Sequence, residues 1–308
     1  MAMKMVVVVL GMVAAMVQHS VQHDDHLTIP GSGCVRKIYG QILPFGIVVT
    51  SEFAEQALNE SGVFTPTTFV DLHGRKFIRG IIYQTTVVYV RTLSTPSINV
   101  GLTAQILADN FNLSGIIYYG SAGATNESLS IGDVHIPGQL AFTGNWDWLS
   151  MANFPVGELN IEDFNVPQSG ANSLGSIMFE RNSEMYYNGE TKNRFWTPVS
   201  PECLSYASKI MPGPEIPVVW FQLNASSSDI YVENPSYRDF LYKKFRVSSV
   251  DTSSFAIALA ALSNDLPYIV FHGISNMADE YPHREASFNA NVNAVKVLLR
   301  FIWLTQEH

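Results

Sequence analysis

The stretch VDTSSFAIALAALSNDLPYIVFHGISNMAD, residues 250–279, brings polar groups to two points where an α/β chain presents chemistry. Asp251, Thr252, Ser253 and Ser254 open an apolar helical run, where a carboxylate and hydroxyls can grip the hydroxyls of a small ligand. Ser275 and Asn276 close the apolar strand YIVFHGI. An amide there can donate a hydrogen bond to a ring nitrogen but has no proton to give up. A third point is YYGSAGATNESLSIGDVHIP, where Gly120 and Gly123 predict a sharp turn after a buried strand. Such a turn leaves the amides of Gly120 to Ala122 and the Ser121 hydroxyl to face an anion or a sugar. It serves equally to reconnect a sheet, and Gly-Ser-Ala-Gly alone does not choose between the two.

The elements that must carry these groups alternate. FGIVV predicts a strand at about 45–50, followed by a helix from Glu52. RKFIRGIIYQTTVVYVRT reads as two adjacent strands joined near Tyr83-Gln84, and SINVGLTAQILADNF as a helix. From about Asn145 to Gly213 the chain is rich in Asn, Pro, Gly and aromatics, which predicts loops with one or two short helices. A strand at 218–223, a helix near 237–244, a strand at 246–250 and a helix from about Ser253 follow. PYIVFHGIS and the amphipathic EASFNANVNAVKVLLRFIWL close the chain. The pattern predicts an α/β fold, a three-layer sandwich with a central mixed sheet, with ligands beyond the carboxyl ends of its strands.

With 308 residues, 47% hydrophobic and 15% charged, the chain has material for a full core. A net charge of −9 argues against a nucleic-acid surface. In MAMKMVVVVLGMVAAMVQHSVQ, Lys4 precedes an apolar run from Met5 to Val17 that is short for a bilayer, the order of a cleaved secretory signal. Residues 1–22 are therefore expected to be a signal peptide and 23–308 one domain, with no membrane partner and a vacuolar or extracellular address. Cys34 and Cys203 are the only cysteines, so an oxidising compartment allows a single disulfide. Asn59, Asn112, Asn126 and Asn224 each begin an Asn-X-Ser sequon; Asn112 leads into a strand, which leaves Asn59, Asn126 and Asn224 as the glycosylation candidates. The HDDH run at His23–His26 reads as a solvated tail, and His135 and His272, in apolar strands, as satisfied core residues. Trp146 and Trp148 suit packing or a subunit interface.

Together, FGIVV, GSAGA with IGDV after it, SSSDIYV, VDTSSFAIA and FHGISNMAD resemble the nucleoside phosphorylase/nucleosidase superfamily from about Phe45 to the C terminus. Within it, the leader and loop insertions are similar in texture to plant bark storage and wound-inducible proteins. The resemblance implies a purine base or nucleoside as partner, no cofactor, phosphate as a possible co-substrate, and a homo-oligomer, dimer or trimer.

Cleaving an N-glycosidic bond needs a donor on the leaving base and a group holding the ribose hydroxyls, with an oriented water or phosphate. By the resemblance, Asn276, beside Ser275, falls where nucleosidases place an aspartic acid, and Ser253 where the family has its ribose-gripping glutamate. Asp251 matches the earlier glutamate of that motif, and Tyr231 supplies an aromatic that either stacks on the base or packs. The water-activating glutamate falls at Ala54, with Glu52 and Glu55 out of register. TLSTPSIN replaces a glycine-rich loop, with hydroxyls at Ser94 and Thr95 for an anion, and Tyr118 or Tyr119 stands in place of an arginine. Losing one oriented donor removes about two to three powers of ten in rate. The expectation is a secretory storage or wound-induced protein with a degenerate purine nucleoside site. The alternatives are an active phosphorylase or ribohydrolase for adenosine-type or cytokinin ribosides, and a module that binds without cleaving.

Overall fold

The computed structural model describes residues 33–149, 158–160, 176–179, 183–187 and 189–306. The apolar N-terminal run and His23–His26 lie outside them.

FGIVV forms β1 (Phe45–Val49), buried at all five residues, as a strand covered on both faces must be. Ser51 then caps α1 (Glu52–Glu60) by accepting the Ala54 amide at 3.1 Å, with Glu52 and Glu55 in the first turn. Three strands follow as a meander, β2 (Phe64–Leu72), β3 (Arg75–Ile82) and β4 (Thr85–Arg91). After α2 (Ile98–Asn110) come β5 (Gly115–Ala124), β6 (Val134–Ile136) and β7 (Gln139–Phe142). The last third holds α3 (Pro201–Ala207), β8 (Val219–Phe221), β9 (Asn224–Ser227), α4 (Pro235–Phe245) and β10 (Val247–Asp251). It closes with α5 (Ser254–Ser263), β11 (Tyr268–Asn276) and α6 (Arg284–Leu304).

These strands and Thr197–Pro198 form a twelve-stranded mixed sheet, running Thr197–Pro198, β7, β9, β10, β5, β1, β4, β3, β2. β11 lies against β5 and β6, and β6 against β8. Helices pack in pairs, α1 with α6 and α2 with α5. Successive residues of β5 separate the two layers: Tyr119 donates to the Ala54 carbonyl of α1 at 2.7 Å, while Tyr118 lies towards Ser253 at the start of α5. The three-layer α/β sandwich is the architecture expected from the sequence. Helix α6 lies close on β11, since a Cβ at Gly273 would come within 2.0 Å of the Ala290 carbonyl oxygen. Cys34 and Cys203 are joined, which ties the arm before β1 to α3.

Three expectations are corrected. Gly120 and Gly123 form no turn; both lie within β5, paired with His272 and Asn276 of β11. Among the described residues of 145–213 a short helix is present as expected, at Pro201–Ala207, but strands stand where loops were expected: Ser183–Tyr187 pairs with Glu190–Arg194, and Trp146–Leu149, Ser176–Phe179 and Glu158–Asn160 make a small sheet. The first of these hairpins is mostly solvated and polar, so it lacks an apolar alternation to read. The strand expected at 218–223 is present as Val219–Phe221, but a second strand that was not expected, Asn224–Ser227, follows after Gln222 adopts φ 60° and has other partners. No helix among the described residues is long and apolar enough to cross a membrane.

Candidate functional site

The sheet is split beside β5. Residues 116–118 pair with β11 on one edge and β1 on the other, and pairing with β1 ends at Val48↔Tyr118. Gly123 pairs with Asn276 of β11 and with Val250 of β10, so β10 occupies the edge that β1 has left. Among the described residues, 119–122 therefore have no strand neighbour on that edge. The split lies at the carboxyl ends of β1 and β10, where an α/β sheet presents ligand-binding groups.

A tyrosine fills it. The Tyr118 hydroxyl lies 3.4 Å from Thr50 Oγ1 and within hydrogen-bonding reach of Ser253 and Asp251. Its ring is edge-on to His272, with centroids 6.4 Å apart, and the residue is 2% exposed. Burial first, and the Asp251 charge second, push its ionisation well above the ordinary tyrosine range, so it stays a neutral phenol. Gly120 is what admits it, because a Cβ there would stand 2.9 Å from the Tyr118 hydroxyl oxygen.

Behind the phenol, Asp251 is surrounded by donors. Oδ1 accepts from Ser227 Oγ at 2.5 Å and Ser254 Oγ at 2.8 Å. Oδ2 accepts the amides of Ser253 at 3.2 Å and Ser254 at 2.9 Å, and faces His272 Nε2 at 3.5 Å. Burial raises its pKa, but the charge and hydrogen bond of His272 and the serine hydroxyls outweigh that and hold it below the usual carboxylate value. His272 Nδ1 meets Ser249 Oγ at 2.9 Å, and Ser249 Oγ meets His135 Nδ1 at 2.7 Å. Asp251 favours the His272 form with a proton on Nε2. In the neutral ring Nδ1 then accepts the single Ser249 proton, and His135 donates to Ser249. The Asp251 carboxylate already accepts four hydrogen bonds, with His272 Nε2 facing it at 3.5 Å, and the low pKa makes it a weak general base.

The amide at the end of β11 is used internally as well. Asn276 Nδ2 donates to the Glu280 carbonyl at 2.6 Å and its Oδ1 accepts from Ser275 Oγ at 3.2 Å, while Ser275 also reaches the Ala122 carbonyl at 3.3 Å. At the start of α2, the Ser97 amide and hydroxyl donate to the two oxygens of Asp229 at 2.7 and 3.0 Å. That carboxylate takes the amide and hydroxyl of the residue that caps the helix, beside the positive end of its dipole.

Residues 44–302 match the model of the Phosphorylase superfamily. The chain belongs to the phosphorylase superfamily. It is 36% identical over 279 residues to bark storage protein A of Populus deltoides, covering 84% of this chain and 88% of that protein. Among solved structures, a 5'-methylthioadenosine/S-adenosylhomocysteine nucleosidase from Colwellia psychrerythraea, in complex with adenine, superposes with a TM-score of 0.65 at 20% identity. That alignment covers 87% of this chain and 97% of the other. The futalosine hydrolase of Helicobacter pylori gives a TM-score of 0.61 at 17% identity, covering 86% of this chain and 98% of that one.

In this member of the phosphorylase superfamily the residues singled out from sequence fall into separate groups. Ser253 and Asp251 meet at the split, with Gly120 beneath the Tyr118 ring and Ser121 half-buried on the same strand. Ser275 and Asn276 close on the turn after β11. Tyr231 is 61% exposed, its hydroxyl 3.5 Å from Thr95 Oγ1, and Ser94 and Thr95 lie on the loop that Asp229 holds. Glu52 and Glu55 contact Arg91 at 3.7 and 2.8 Å, and Ala54 is fully buried. Of the sequons, Asn59 and Asn112 are exposed. Asn126 is buried, with its Oδ1 accepting the Ser128 amide, and Asn224 accepts from Gln139 at 2.9 Å.

Sequence reasoning missed the part Tyr118 plays, and read His272 only as core. Hydroxyl-rich ends on neighbouring strands, Ser226–Ser228 and Ser248–Asp251, were the available signal for the network. A groove of about 870 Å³ on the outer faces of α2 and α5, lined by Ile98, Leu102, Phe142, Phe255 and Leu259 among others, shares no residue with that network.

Proposed function

We propose that this chain is a secretory-pathway storage or wound-induced protein on a phosphorylase scaffold, its nucleoside site closed by its own side chains. The observation that carries this reading is the phenol of Tyr118 in the split of the sheet, in front of a carboxylate whose hydrogen-bonding capacity is already taken. The similarity to a protein named for bark storage supports the storage half. An active ribohydrolase would need a proton donor for the leaving base and an oriented water, and a phosphorylase at least a free hydrogen-bond donor there and a group to hold phosphate. The Asn276 amide is engaged by the Glu280 carbonyl and has no proton to transfer, and the Ser97 amide and hydroxyl at the start of α2 hold Asp229. In this reading the chain takes no cofactor, leaves the cell or enters the vacuole, and carries glycans at Asn59 and Asn112, the exposed sequons. Trp146 serves packing, stacked on Phe240 at 6.3 Å.

The test is a panel of purine nucleosides incubated with purified protein, with and without phosphate, with free base measured. No release above the rate without protein is expected. Phosphate-dependent or hydrolytic release at ordinary enzymatic turnover overturns the reading.

A further inference from the structure

We propose that Tyr118 is a built-in occupant of the nucleoside site, and that removing its ring opens a cavity for a ribosyl group. This rests on the reading of the site as closed, and deepens it by naming the residue that closes it.

Four observations converge on this side chain. It is the last residue of β5 paired with β1, directly before residues 119–122, whose edge has no strand neighbour among the described residues although it sits in the middle of the sheet. The ring crosses Gly120, and the atoms nearest to where a Cβ would stand there are those of the phenol. Its hydroxyl meets a set of groups suited to a hydroxylated ligand: Thr50 Oγ1 at 3.4 Å, Ser253 and the Asp251 carboxylate. It is also 2% exposed, so ring and ligand cannot share the space. A phenol is a flat ring bearing one hydroxyl. It replaces the shape and one hydrogen-bonding group of a sugar, without the ring oxygen and further hydroxyls that would make the complex reactive.

Truncation to glycine leaves a void on the order of 100 Å³, the scale at which engineered cavities take up a benzene-sized ring. The walls here are polar on one side, so a ribosyl group fits their chemistry better than a purely apolar ring.

The experiment compares wild type with Tyr118→Gly and Tyr118→Val by calorimetry and thermal unfolding, using p-cresol and adenosine as probes. Wild type is expected to bind neither. Tyr118→Gly should melt several degrees lower, recover part of that with p-cresol, and bind adenosine at least tenfold more tightly than wild type. Tyr118→Val keeps a strand-favouring residue and carries the same readouts if the glycine variant does not fold. A folded variant that binds neither probe overturns the proposal. So does one that takes p-cresol but not adenosine, or a wild type that binds adenosine equally well. A wild type that is inert on nucleosides beside a variant that gains nothing refutes the plug alone. A wild type that releases base refutes the reading of the site as closed.

Discussion

The Tyr118 hydroxyl lies 2.9 Å from the point where a side chain on Gly120 would begin. The two residues share one face of β5, two positions apart, and the absence of a Cβ at one is the condition for the ring of the other. Gly120→Ala should therefore force Tyr118 out of place, destabilising the fold by about 1–3 kcal/mol, as overpacking does. In a Tyr118→Gly background the same change should cost much less. Urea unfolding of the four proteins gives the coupling, and additive effects would show that the ring does not lie across Gly120.

Acid should loosen the core through His135. Burial, reinforced by the nearby His272, lowers its pKa from 6.5 to about 3. A histidine whose folded pKa is depressed supplies stability that is fully present above its unfolded pKa of about 6.5 and is lost as pH falls towards the folded value. Ser249, His272 and, beyond them, Asp251 face this ring. Asp251, also lowered, holds its contribution above the unfolded carboxylate value and loses it only at still lower pH. Between pH 7 and 4.5 the wild type should lose on the order of 2–3 kcal/mol from His135. His135→Gln should give a flatter profile of urea midpoint against pH. Parallel profiles would remove His135 from the cause.

The disulfide joins residues 169 apart. In the chain-entropy view a loop of that length stabilises by roughly 5 kcal/mol, less any native strain. Cys34→Ser with Cys203→Ser should lower the unfolding midpoint accordingly, and denatured, unreduced wild type should show no reactive thiol on titration. Two reactive thiols, or an unchanged midpoint, would contradict this.

Much of this fold is legible as sequence because the central strands are covered on both sides. FGIVV is a continuous apolar run and YIVFHGISN is apolar through most of its length, and each became a wholly buried strand. Phe64–Leu72 escaped notice for the opposite reason: it is a sheet-edge strand exposed along most of its length, with Pro66 in it. Glycine was the misleading signal at the site. Gly120 suggested a turn, whereas its purpose is room for a neighbouring ring, which spacing along the chain cannot express. The Asp251 network was illegible for a further reason. Ser227 and His272 come from β9 and β11, and only the sheet order brings them to the Asp251 carboxylate of β10.

The most direct measurement is a crystal structure of the wild-type protein soaked with adenosine and phosphate. The result expected is Tyr118 in the split, its hydroxyl near Thr50, with Asp229 still on Ser97 and no ligand density between β1 and β10. A nucleoside or base seated there with the Tyr118 ring swung aside would contradict it.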